Sequence, residues 1–306
     1  MQRFKNILCI MNPHENASSA LQRATELASR QDARLTLVDV VRDMPPALVE
    51  AGLLSDDMRK DFIAERKTHM QSQLVKNAFA GETDIKVLVG IPFIEIIRQI
   101  LLGKHDLLIK PTESSGRRFA LLGTTDKHLL RKCPCPIWLV KPTRRKKYSH
   151  ILAAVDSDPG EPNATLNTLI LDLATSLADR ERTDLHVVSA WDVSNEGALH
   201  SRIGHPEFSH LMEDIRKTHA RCFRQLTEPY SQRCAKFHVH LLHGEANKVI
   251  PAEAKKRRID LIVMGTVGRV GIPGLFIGNT AERILCKVDS SVFAVKPEGF
   301  ISPVAA

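Results

Sequence analysis

The chain repeats itself, and the repeat limits the folds open to it more than any single motif does. Lys5 to Asn12 (KNILCIMN) is matched by Ser149 to Asp156 (SHILAAVD), at an offset of 144 residues. Val89-Gly90, an apolar helical pattern and then Asp106 are matched by His243-Gly244, a similar pattern and Asp260, with 16 residues from Gly to Asp in both copies. Gly123 through Val140-Lys141-Pro142 is matched by Gly278 through Val295-Lys296-Pro297, at an offset of 155. Three blocks in one order, with the offset drifting only between them, indicate duplication followed by changes in loop length. A chain of 306 residues also exceeds what one hydrophobic core usually serves. The repeat therefore divides it into domains at 1–142 and 149–306, joined by a linker at 143–148.

Within each copy, short β-rich runs alternate with longer helical patterns, as in βαβ units with a parallel sheet. The first copy predicts strands near 5–11, 33–40, 84–89, 106–110 and 136–140, and helices near 17–31, 56–80, 92–103 and 122–132. The second predicts strands near 149–156, 184–191, 236–242, 259–264 and 291–296, and helices near 163–180, 206–229, 245–258 and 279–287. Runs such as Leu261 to Met264 are apolar at every position, as expected where helices cover both faces of a sheet. The fold class is α/β, with two tandem, doubly wound, five-stranded parallel sheets. Such sheets take ligands at the carboxyl ends of their strands, where the strand order reverses.

Composition excludes several alternatives. No apolar run approaches the roughly 18 residues a membrane span needs, and the first apolar run breaks at Asn12-Pro13, too early for a secretory signal. A cytoplasmic protein is expected. The six cysteines form no disulfide framework and are read as reduced thiols; Cys133 and Cys135 lack the spacing of a redox or zinc motif. The net charge of +8 invites a nucleic-acid reading, but half of it is the linker run from Arg144 to Lys147. A short basic connector without an accompanying recognition motif argues against nucleic acid as a partner. His238, His240 and His243 lie close together but lack an obvious carboxylate or thiol partner, so they are read as surface residues and no metal is expected.

The fourth strand of the second copy runs directly into Gly265, Gly268, Gly271, Gly274 and Gly278, followed by Asn279, Thr280 and a helical pattern. Glycines let backbone N–H groups approach an anion, and a helix start adds unpaired donors. The loop is built like a phosphate cradle. It lacks the Gly-Lys-Ser/Thr of a P-loop and the GxGxxG order of dinucleotide folds, and a flexible connector remains the plain alternative.

The spacing Gly265-x2-Gly268-x9-Gly278, between a strand ending Val263-Met264 and a last strand ending Val295-Lys296-Pro297, resembles the ATP-binding signature of the universal stress protein family. The resemblance covers both copies. It implies that ATP is the ligand, with magnesium able to accompany it. It further implies that Asp156 contacts the ribose or adenine side, that Val187 meets the adenine edge through its backbone at the end of the second strand, and that Gly265, Gly268, Gly278 and the next residue hold the phosphates. That next residue is Asn279, where the family pattern has Ser or Thr; its amide can donate, and Thr280 offers a hydroxyl one place on. The resemblance also implies that strands 136–140 and 291–296 pair as an intramolecular pseudo-dimer with Trp138 at the junction, and it allows a homodimer. On the residues alone, Asp156 could be a turn residue ahead of Asp158-Pro159, and Val187 a core residue.

The first copy places Pro111 and Ser114 where Gly265 and Gly268 stand, keeps Gly123, and has Asn12 for Asp156. Proline removes a donor and glycine's freedom is lost, so close wrapping of a polyphosphate is expected in the second copy alone. Three functions follow: a nucleotide-binding stress sensor or regulator; a slow ATPase; or a binder of a phosphorylated or acyl-bearing metabolite using the apolar stretch 272–277. No nucleophile elbow, HExxH or kinase catalytic loop supports the enzyme.

Overall fold

The computed structural model describes residues 4–12, 17–43, 55–112, 122–143, 145, 147–159, 164–193, 195–234, 236–266, 278–297 and 299–305. The chain divides into two compact units, one of residues 3–146 with 299–306 and the other of residues 147–298 with 1–2. The boundary falls in the basic segment read as a linker. Residues 299–306, which the sequence attached to the second copy, group with the first unit; they follow the last matched block and so lie outside the repeat.

The first unit runs β1 (Asn6–Ile10), α1 (Ser18–Gln31), β2 (Arg34–Val41), α2 (Asp56–Lys76), β3 (Thr83–Val89), α3 (Pro92–Gly103), β4 (Leu107–Pro111), α4 (Thr124–Lys132) and β5 (Ile137–Val140). The second runs β6 (His150–Ala154), α5 (Ala164–Glu181), β7 (Asp184–Trp191), α6 (Glu196–Arg202), α7 (His205–Thr227), β8 (Phe237–His243), α8 (Ala246–Lys256), β9 (Leu261–Gly265), α9 (Asn279–Leu285) and β10 (Ser291–Val295). Strand order is β3-β2-β1-β4-β5 in the first and β8-β7-β6-β9-β10 in the second, with parallel pairing within each. This is the doubly wound arrangement the alternation predicted.

Two departures have local causes. Helix α2 stops at Lys76 rather than near 80, because Asn77 closes it and Ala78 takes a left-handed conformation at φ 50. Helix α6 was not predicted; its sequence EGALHSR buries no residue, so it carries no apolar stripe for periodicity to detect. The central strands explain the continuous apolar runs. Ile7, Leu8 and Cys9 of β1 and Ile151, Leu152 and Ala153 of β6 are all fully buried, with a paired strand on each edge. All six cysteines are free thiols, and complete burial pushes the Cys9 thiol up to about 12.

The repeated polar residues hold this ladder together. Asp106 accepts hydrogen bonds from the backbone N–H groups of Lys5 (2.6 Å) and Asn6 (3.1 Å). Asp260 accepts from Ser149 (2.7 Å) and His150 (3.1 Å) in the same way. Each carboxylate therefore ties the start of the central strand to the strand beside it. The repeated glycines Gly90 and Gly244 have φ of 145 and 118, a region that L side chains avoid. Their N–H groups donate to Val41 and Trp191, the last residues of β2 and β7. Replacing Asp106 with Ala removes two charge-assisted hydrogen bonds and is expected to cost about 2 kcal/mol, read as a lower urea midpoint at unchanged m-value.

Candidate functional site

In both units the strand order reverses beside the first strand, so the site is sought at the carboxyl ends of β6 and β9, and of β1 and β4. Ala154 of β6 is in register with Met264 of β9, which brings Asp156 and Thr266, each two residues further on, to the same end of the sheet. The N–H of Gly278 donates to the Thr266 carbonyl at 2.8 Å, and the Thr266 N–H to Val295 at 3.0 Å. The start of α9 is thereby anchored to the end of β9. Gly278 is the N-cap of α9, with φ −70, ψ 138 and no side-chain cap; Asn279 and Thr280 are exposed at its first turn. The fold thus gathers Asp156, Gly265, Gly278, Asn279 and Thr280 around one switch point.

Asp156 is held by Asn167 of α5, a buried residue that sequence reasoning missed. The Asn167 amide accepts from the Asp156 N–H at 3.0 Å and donates to the Asp156 carbonyl at 2.5 Å. The Asp156 carboxylate accepts from the Asp158 N–H at 3.2 Å, the Asx-type turn open from sequence. The Ser157 and Ser189 hydroxyls, 2.8 Å apart and both buried, pin the next residue to β7.

Val187 is corrected. It lies inside β7, which continues to Trp191, and is fully buried. The Leu185 N–H donates to Lys236 beside β8, and the Val188 carbonyl accepts from Val155 beside β6. Alternate residues of a strand share an edge, so the Val187 backbone faces β8 and is used by that ladder. The backbone facing the Asp156 turn beyond the end of β6 is that of Ala190, half-buried. Gly268 and the apolar stretch 272–277 lie outside the described residues, as does Ser114. A Cβ at Gly265 would come within 2.7 Å of Leu166 Cδ2 on α5, so a side chain there displaces the end of that leucine.

The first unit holds a cleft of about 430 Å³ at the equivalent end, lined among others by Asn12, Asp39, Arg42, Arg66, Lys110 and Thr124. Its buried charges are matched internally. Lys110 Nζ lies 3.1 Å from Asp126, with both side chains almost completely buried, and Arg66 lies 3.3 Å from the buried Asp39. In the repeat frame Met264 and Ala281 replace Lys110 and Asp126, and Ser189 replaces Asp39.

Two doubly wound units in tandem, each with polar residues converging on its switch point, define a tandem α/β protein. The Usp model of the universal stress protein family matches residues 3–141 and again 147–296, and the chain belongs to that family of stress-response proteins. It is similar to universal stress protein E of Salmonella typhi, 31% identical over 99% of this chain and 98% of the relative. It is also similar to universal stress protein E of Photorhabdus laumondii, 29% identical over 100% and 99%. A solved Pseudomonas aeruginosa protein described as functionally unknown superposes with a TM-score of 0.70 at 25% identity, covering 96% of this chain and 93% of that one. An Archaeoglobus fulgidus universal stress protein shares the fold, with a TM-score of 0.64 at 17% identity over 95% and 98%.

Substitutions in each unit test the packing around its switch point. Gly265→Ala is expected to cost about 1–3 kcal/mol by overpacking. Combining it with Leu166→Ala should give less than the sum of the two single effects in a double-mutant cycle. In the first unit, Asp126→Ala removes the carboxylate beside a buried ammonium and should cost about 3–5 kcal/mol. Lys110→Met with Asp126→Ala installs the second unit's residues and should restore most of that loss in the same denaturation measurement.

Proposed function

We propose that the chain is a nucleotide-responsive stress regulator that binds one nucleotide, ATP, at the carboxyl ends of β6 and β9. The observation carrying this reading is the convergence of Asp156, Gly265, Gly278, Asn279 and Thr280 on one switch point, tied together by the bond from Gly278 to Thr266. These residues suit the group. Asn279 and Thr280 offer an amide and a hydroxyl to phosphate oxygens, Ala190 offers a backbone edge to a base, and Asp156 offers a carboxylate to the ribose or to a magnesium ion accompanying the phosphates. Family membership supports the same ligand class. The first unit is the poorer host for a polyphosphate. Its buried Lys110 already faces Asp126, its half-buried Arg66 faces Asp39, and its fourth strand ends in Pro111, which has no N–H to give.

Small molecules released from the purified full chain and identified by mass spectrometry test the proposal. ATP or ADP is expected at close to one per chain, and added ATP should raise the Tm by mass action. Asn279→Asp, which sets a carboxylate against the phosphates, should abolish both effects, whereas Thr124→Asp at the equivalent place in the first unit should leave them intact. Recovery of no nucleotide together with no shift in Tm rejects the reading. Phosphate release that depends on Asp156 would instead make the protein an ATPase.

A further inference from the structure

At the opposite, amino end of the second unit's sheet, four histidines and an aspartate collect on one face. His150 opens β6, Asp184 opens β7 with His186 two residues on, and His238 and His240 lie on β8. Register partners point to the same face in a sheet, and the pairings His150 with Asp184, His186 with His238 and Val188 with His240 put all five side chains together. One ligand atom from each of His150, Asp184 and His186 lies within 4.8 Å of the others. The expectation that the β8 histidines lack a carboxylate is therefore corrected. His238 Nε2 is 3.7 Å from Asp184 Oδ2, and the cluster includes two rings from other strands that sequence proximity could not reveal.

We propose that His150, Asp184 and His186 bind a divalent transition-metal ion of the zinc class, with His238 beside the fourth coordination position. Imidazole nitrogens with one carboxylate oxygen suit such ions. A tetrahedral ion with bonds of about 2.0–2.1 Å holds its ligands roughly 3.3 Å apart, so the present spacing closes by small rotamer adjustments. His150 Nδ1 is a buried atom with no hydrogen-bond partner among the described residues. His186 Nδ1 is 3.1 Å from His240 Nε2, which fixes the ring as an outer-shell partner does and leaves its other nitrogen for the metal.

The charged neighbours are accommodated. Lys236 takes Asp184 Oδ1 at 3.2 Å and leaves Oδ2, while Arg257 sits against His240 Nδ1 at 3.4 Å and pairs with Glu253, outside the three ligands. The fold itself does not demand these residues. In the first unit the matching strand positions are Asn6, Arg34, Thr36, Asp84 and Lys86, which supply no imidazole.

Titration of the untagged full chain with Co2+, followed by its visible d–d absorption and then by Zn2+ displacement, tests the site. One Co2+ per chain is expected, with tetrahedral-type intensity and complete displacement by Zn2+. Asp184→Asn and His186→Thr should each weaken Zn2+ binding at least tenfold in competition with a chromophoric chelator, and His210→Gln, on the exposed face of α7, should not. Circular dichroism establishes that each variant is folded. Should His186→Thr fail to fold, the partly exposed His238→Gln supplies the second variant, with a changed d–d spectrum expected. Absence of stoichiometric binding to the wild type, or binding undiminished in folded Asp184→Asn, overturns the proposal. Neither outcome bears on nucleotide binding at the other end of the sheet.

Discussion

The structure depends on a central parallel strand in each unit whose backbone is paired along both edges and whose side chains are buried on both faces. Where such a strand begins, its first N–H groups lie at the rim of the sheet and fix its register to the strand beside it. Asp106 and Asp260 accept from them, and the same two residues mark the repeat in the sequence. With β1 and β6 fixed in the middle, crossovers to either side place one end of each sheet at a reversal of strand order. The location of the candidate ligand site follows from that constraint before any of its residues is specified.

The two copies have spent this shared scaffold differently. In the first, the space below the switch point is occupied by a buried Lys110–Asp126 pair; in the second, Met264 and Ala281 take those places, and Asn279 and Thr280 are exposed at the start of α9. A buried ion pair is weak ground for stability, but losing either partner leaves an uncompensated buried charge. The pair neutralises Lys110 inside the first cleft, which Arg42 also lines. The second unit has also acquired histidines at the amino end of its sheet where the first has Asn6, Arg34, Thr36, Asp84 and Lys86. Duplication thus freed one copy's ligand end and the other copy's far end to diverge separately.

Much of this was legible in sequence, for identifiable reasons. Strands buried on both faces read as unbroken apolar runs, and the repeat set Gly90 and Gly244 at equivalent places, where both take a positive φ. What stayed hidden involved contacts between distant segments. Asn167 lies on a helix with no motif around it, yet its amide fixes both the N–H and the carbonyl of Asp156. Gly265 read as a ligand glycine, but a side chain there would also have to displace the end of Leu166. Val187 was placed at a strand end by the resemblance, although the predicted strand 184–191 already ran past it; that its backbone faces β8 follows only from the strand pairing. The histidines were misjudged because register, not proximity in sequence, brings His150 and His186 to the face of β8.

The central claim is that one nucleotide site exists per chain and that it lies in the second unit. Amide hydrogen exchange of the full chain with and without ATP addresses it directly. The account predicts slowed exchange at residues 155–158, 189–191 and 278–281, with residues 10–12, 39–42 and 124–127 unchanged. Protection in the first-unit segments, or none in either, would contradict it.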